Sequence, residues 1–242
     1  MPLPAGSGGY DAVLFDALGT LVELEPPWPL LQAALAARGV QVDQEQAKEA
    51  MLAEMRYYRA HHMDGRDEPS LGELRGRCAA VLREHLPSSV ADLTPEDLVD
   101  VLMLAIRFQP YPDAAPLLGR LRHFGIRTAV VSNWDVSLRR ILGEIGLGGL
   151  VDEIVVSAEA GVPKPAPEIF EMALRKLRCP ARAALFVGDS PETDIAGAQR
   201  AGLRAVLIDR TGAGGSGVEV ECVSSLESIA GLLAPPSPLS GT

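Results

Sequence analysis

Short apolar runs separated by long amphipathic stretches set the plan of this chain. Ala12 to Phe15 is continuously apolar, as a strand buried on both faces must be. Polar–apolar spacing then predicts a helix after Pro29 and another from Asp43 to about Arg59, with Gln46 placed to close a capping box. His61 to Pro69 reads as a loop. Ser70 and Glu73 have capping-box spacing for a third helix ending near Leu86, and Thr94–Pro95 opens a fourth that runs to about Arg107. Between Leu24 and Gln109 nothing reads as a strand, so a helical insert is expected there.

From Tyr111 the period changes. Asp113 is expected to cap a helix closed by Gly125, followed by a strand from Arg127 to Val131 and a helix from Asp135 to near Gly146. Strands at Glu153–Val156, Ala184–Val187 and Arg204–Ile208 alternate with helices after Pro167 and up to Gly202. Such alternation predicts an α/β fold, a Rossmann-like doubly wound parallel sheet with an inserted all-helical cap. The implied division is a discontinuous core, residues 1–21 and 111–242, and a cap, residues 22–110. The first ten residues and the tail after Ala234 are rich in Gly, Pro and Ser, so no fixed structure is expected in either.

Composition narrows the function. With 47% hydrophobic and 22% charged residues over 242 positions, the chain can bury a real core. A net charge of −10 and a pI near 4.9 disfavour nucleic acid as a partner but allow a small anionic substrate at a locally positive or metal-loaded site. No apolar run is long enough for a membrane span. The start shows no basic region followed by an apolar stretch, so no secretory signal is expected. Cys78, Cys179 and Cys222 are scattered, which argues against a disulfide framework or a zinc site and for a cytoplasmic setting. A homodimer stays open. The glycine-rich stretch from Thr211 to Gly217 lacks the Lys-Ser/Thr ending of a phosphate-binding P-loop.

Ligands of open parallel sheets sit at the carboxyl ends of the strands. After the first strand comes Asp16–Ala17–Leu18–Gly19–Thr20; after Val131 come Ser132, Asn133, Trp134 and Asp135. Lys164 follows the third strand within Gly161–Pro165, and Gly188, Asp189, Ser190 and Asp194 follow Val187. Each residue alone could be a cap or a turn. Together, a carboxylate, a hydroxyl, a lysine and a carboxylate pair, each after a buried strand, call for a site.

These segments resemble the four motifs of the haloacid-dehalogenase-like hydrolase superfamily. FDALGTLVEL resembles the first, VVSNWD the second, KPAPEIF the third and VGDSPETDIAGAQRAG the fourth. The resemblance covers the core and implies nucleophilic chemistry. Asp16 would be the nucleophile and form an aspartyl-phosphate. Asp16, the main-chain carbonyl of Leu18, Asp189 and Asp194 would hold Mg²⁺. Ser132 and Lys164 would be catalytic, meeting the phosphoryl oxygens and the charge of the transition state. Thr20, Asn133 and Trp134 would line the substrate site.

One position departs from the phosphatase pattern. Where such phosphatases carry a second aspartate, acid and then base, this chain has Leu18. Carbon–halogen hydrolases of the superfamily lack that acid, since a halide leaves unprotonated, but they work without metal and do not keep the pair Asp189 and Asp194. A magnesium-dependent phosphatase is therefore the first reading. The others are a 2-haloacid dehalogenase and a binding or scaffold protein that has lost catalytic power. Arg56, Arg59, His61 and His62 cluster at a helix end in the insert. They read either as a solvated basic turn favoured by the helix dipole or as substrate contacts. A histidine there could replace the missing acid.

Overall fold

The structure is a computed structural model, and it describes residues 9–212 and 220–232. Residues 213–217 of the glycine-rich stretch, and the terminal segments except Gly9 and Tyr10, lie outside these. Tyr10 has a defined place, accepting a hydrogen bond from Arg204 at 2.9 Å.

Six parallel strands make the central sheet: β1 (Ala12–Phe15), β4 (Arg127–Ser132), β5 (Glu153–Val156), β6 (Ala184–Gly188), β7 (Arg204–Ile208) and β8 (Glu221–Val223). Their order is β5-β4-β1-β6-β7-β8. β1 lies between β4 and β6, with Phe15 level with Val130 on one side and Val187 on the other. The connections run outward from β1 in both directions, so the switch point of this α/β sheet falls at its carboxyl end.

Alternation along β1 sends Val13 and Phe15 to one core and Ala12 and Leu14 to the other. The first core is closed by α5 (Ala114–His123) and α6 (Leu138–Glu144), through Leu117, Leu121, Leu138 and Leu142. Behind the other face lie α8 (Pro167–Leu177) and α9 (Ala196–Arg200), which supply Phe170, Ala173 and Ala198. The short α7 (Ser157–Ala160) follows β5, and α10 (Glu227–Leu232) closes the described chain.

Residues between the first two motifs form a separate helical layer. It holds α1 (Pro27–Ala36), α2 (Gln44–His61), α3 (Glu68–Glu84) and α4 (Pro95–Ala105) around Leu31, Leu35, Met51, Leu74, Leu82 and Leu98. Its two connections pair with each other as an antiparallel ribbon, β2 (Val22–Leu24) with β3 (Phe108–Pro110). These strands at the insert's edges were not expected from the sequence, because three residues are too few to show alternation.

The capping box of α2 is as expected: Asp43 accepts from the Gln46 amide at 2.8 Å, and Gln46 accepts from the Asp43 amide at 3.1 Å. That of α4 is Thr94 with Asp97. The box of α3 falls one turn earlier than Ser70–Glu73. Asp67 is the N-cap and Ser70 its reciprocal partner. Pro69 is therefore inside the helix, where the first turn needs no N–H from it. Asp113 makes no side-chain cap; its carboxylate accepts from Arg210 at 2.9 and 3.2 Å and from the Leu226 amide at 2.8 Å.

Candidate functional site

Three neighbouring strands deliver the site at their carboxyl ends. Asp16 follows β1, Ser132 ends β4 and Asp189 follows β6. Asp194 arrives on a π-helical turn, Pro191–Ile195, and Lys164 on the loop after α7. Lys164 is buried at the centre, its Nζ 2.5 Å from Asp16 Oδ1 and 2.6 Å from Asp194 Oδ1. Ser132 Oγ donates to the same Asp16 oxygen at 3.0 Å. Carboxylate oxygens of Asp16, Asp189 and Asp194 all lie within 4.8 Å of one another.

The backbone around the cluster is cut to fit. Gly19 has φ +83°, and a Cβ there would sit 2.1 Å from Asp189 Oδ2. A Cβ on Gly188 would lie 2.5 Å from Asp194 Cγ. Asn133 pins the lysine loop through both ends of its amide: Nδ2 donates to the Lys164 carbonyl at 2.9 Å and Oδ1 accepts from the Lys164 amide at 2.7 Å.

Three carboxylates around one ammonium leave excess negative charge, which adds to the effect of burial on the groups. Burial pushes the Asp16 carboxyl up; Lys164 opposes this and Asp194 adds to it. Asp189 opens to solvent, yet the protein around it and the charges of Asp16 and Asp194 push it up to about 7. Burial pulls the Lys164 ammonium down, but Asp16 and Asp194 outweigh it and hold it above the usual lysine range. A site with this charge has room for a cation, and its donors are the oxygens that a hard divalent ion prefers.

The cluster forms the floor of a cavity of about 930 Å³ roofed by the helical insert. Hydrogen bonds tie roof to floor. Tyr58 on α2 donates to Asp135 Oδ2 at 2.8 Å, and the Gly65 carbonyl accepts from the Val136 amide at 2.9 Å. Gly65 must be small here, since a Cβ would lie 2.9 Å from that of Asp135. Burial, and then the nearby Asp135 carboxylate, hold the Tyr58 phenol well above its ordinary range.

Asp16, Leu18, Ser132, Asn133, Trp134, Lys164, Asp189 and Asp194 all line this cavity, as do Arg59 and His62. Trp134 is buried and meets Phe108 edge-on, ring centroids 5.0 Å apart. Leu18 is half-buried and packs on the core beneath. Three expected residues lie elsewhere. Thr20 is fully buried away from the cavity, its main-chain carbonyl accepting from Arg210 at 2.6 Å. Arg56 is exposed outside it. His61 stacks on Tyr57 with centroids 4.0 Å apart, its Nδ1 2.8 Å from the Tyr57 carbonyl. Helical phase separates them: Arg59 and His62 fall towards the cavity, whereas Arg56 and His61 are turned to either side of that face. The sequence reading missed Glu54. Its signal was its place on the apolar stripe Ala47, Ala50, Met51 of α2.

The chain belongs to the haloacid dehalogenase-like hydrolase family, which it matches over residues 10–202. It is 42% identical over 103 residues to the glyceraldehyde 3-phosphate phosphatase of Methanopyrus kandleri, a match covering 42% of this chain and 44% of that protein. The chain thus aligns with less than half the length of that relative. A solved HAD phosphatase from Thermococcus onnurineus is 26% identical with a TM-score of 0.65, covering 93% of this chain and 98% of that one. A 2-haloacid dehalogenase from Pseudomonas syringae shares the fold, at 24% identity and a TM-score of 0.63 over 92% and 97% of the chains.

Proposed function

We propose that this hydrolase is a magnesium-dependent phosphatase of a small phosphorylated metabolite, working through an aspartyl-phosphate on Asp16. The observation that carries the reading is the cluster of three carboxylates, oxygens within 4.8 Å, around one buried lysine. Asp16, Asp189, Asp194 and the Leu18 carbonyl would hold Mg²⁺, which supplies the positive charge that lets a dianionic phosphate approach these carboxylates. Ser132 and Lys164 both bond Asp16 Oδ1 and so orient the carboxylate with Oδ2 as the attacking oxygen. Attack on phosphorus forms the Asp16–phosphoryl bond as the ester P–O bond breaks and the alcohol oxygen leaves with its electron pair. Water then cleaves the acyl phosphate, releasing inorganic phosphate and restoring Asp16. Lys164 keeps an ammonium beside the negative charge throughout. Residues 22–110 act as the cap that excludes water, hinged at the β2–β3 ribbon.

Leu18 cannot protonate a leaving group. This favours substrates whose alcohols are acidic, unless the cap supplies the proton. It is also the one feature that favours a carbon–halogen hydrolase, whose halide leaves unaided. The acidic cluster argues the other way, since without a cation it repels a haloacid. The purified protein should release phosphate from aryl phosphates with Mg²⁺ and should not release halide from 2-haloacids. The reverse pattern would replace the first reading by the second.

A further inference from the structure

The inner wall of the cavity carries two hydrogen-bond acceptors that no strong donor among the described residues reaches. Glu54 lies on α2, whose buried stripe is otherwise Ala47, Ala50, Met51 and Ala53. Its side chain is only 3% exposed and lines the cavity. Among the described residues only the thiol of Cys78 on α3, a weak donor, reaches it. No ion pair reaches it among the described residues. Arg75 on α3 lines the cavity half-buried, and Arg59, Arg107 and Arg140 line it at its exposed rim, Arg140 paired with Glu144 at 2.8 Å; none of the four forms an ion pair with Glu54.

Two turns along, His62 is 9% exposed and lines the same cavity. Its Nδ1 lies 3.0 Å from the Arg59 carbonyl. A carbonyl only accepts, so Nδ1 carries the proton and Nε2 of the neutral ring is an acceptor. Nε2 is buried with no partner among the described residues. Glu54, Tyr58 and His62 fall four residues apart, one stripe on α2 and its end. Tyr58 bonds Asp135, three residues past Ser132, so that end of the stripe stands over the catalytic floor. Glu54 lies one turn further away, about 6 Å along the axis at about 1.5 Å per residue.

A buried carboxyl that no cation of the protein pairs with is costly unless a ligand supplies the charge. Burial has already pushed the Glu54 carboxyl up to about 7. We propose that Glu54 is a substrate-recognition residue, pairing with a cationic amino group that the phosphorylated substrate carries at the end remote from its phosphate. An ammonium brings three N–H donors and a positive charge for the carboxylate, while His62 Nε2 is a further acceptor on the same cavity wall. The substrate class is therefore a phosphate monoester that carries a cationic amino group remote from its phosphate. This rests on the phosphatase reading for where the phosphate sits.

Non-hydrolysable probes separate the two claims. Binding of ω-aminoalkylphosphonates of two to six carbons and of the equally long alkylphosphonates is measured by calorimetry with Mg²⁺, on the wild type and Glu54→Gln. Release of phosphate from p-nitrophenyl phosphate is followed in parallel, and circular dichroism checks the fold. At one or more chain lengths the amine should bind the wild type about tenfold or more tightly than its alkyl counterpart, and Glu54→Gln should bring the ratio to about one. Equal binding of the two series by the wild type at every length overturns the proposal. So does an amine preference that survives in Glu54→Gln, or the absence of any binding by the amines at millimolar concentration. A Glu54-dependent amine preference without release from p-nitrophenyl phosphate supports the recognition site and strikes only the phosphatase reading.

Discussion

Replacing Glu54 by glutamine keeps the shape of the side chain and removes its titration, and the structure fixes what this does to stability. Burial raises the carboxyl from the ordinary 4.5 to about 7. Below pH 4.5 the group is protonated in both folded and unfolded chains and has no linkage cost. As pH rises, the unfolded chain loses the proton first, so the folded state loses stability progressively until the pH passes about 7. Integrating that difference gives a loss of about 2.5 kcal/mol between pH 5 and pH 8. Glutamine carries no such dependence. Asp16 and Asp189 are also raised by burial, but they titrate alike in both proteins and cancel in the comparison. Urea unfolding followed by circular dichroism at the two pH values, in chelator, gives the four free energies required. The variant should gain about 2.5 kcal/mol on the wild type between pH 5 and pH 8. A gain under about 0.5 kcal/mol would mean that Glu54 titrates near its ordinary value, reached by solvent or paired.

Lys164→Met strands Asp16 and Asp194 as buried carboxylates, so it should cost about 3–5 kcal/mol in urea unfolding at pH 7; a loss under about 1 kcal/mol would show that solvent already compensates them. Gly19→Ala puts a methyl group onto Asp189 and strains a backbone at φ +83°, so metal-dependent turnover should fall well below wild type while the circular dichroism spectrum holds. Leu18→Asp should raise the rate on alkyl phosphates relative to aryl phosphates, by up to about 10²–10⁴-fold if the new carboxyl serves as acid and base. If the wild type already treats both alike, another group supplies the proton, and His62→Ala should then abolish that parity.

Much of the fold could be read because buried parallel strands are continuous apolar runs, and Ala12–Phe15 and Ala184–Val187 are of that kind. Caps that obey local chemistry, Asp43 with Gln46 and Thr94 with Asp97, were equally plain. The edge strands β2 and β3 were not, because pairing between residues some 85 positions apart leaves no local period. The four strand-end segments could be located without the structure, since chain order and strand polarity place them at one crevice. Their detailed bonding was less legible: Asn133, expected at the substrate, fastens the Lys164 loop. Thr20 shows the opposite limit, a polar residue in a motif that the fold buries beneath the site. The roof was hardest. Which of Arg56, Arg59, His61 and His62 face inward depends on the exact phase of α2, and Glu54 broke the apolar stripe in a way that a sequence reading takes for noise.

The reading as a phosphatase stands on Asp16 acting with a divalent ion at the three-carboxylate cluster. The direct measurement is inorganic phosphate released from p-nitrophenyl phosphate by the wild type and by Asp16→Asn, each with Mg²⁺ and with excess chelator, beside chloride released from 2-chloropropionate under the same conditions. The account predicts phosphate release by the wild type with Mg²⁺ alone, none above background in the other three arms, and no chloride in any. Undiminished phosphate release in chelator or by Asp16→Asn would contradict it, as would chloride release that needs Asp16 but no metal.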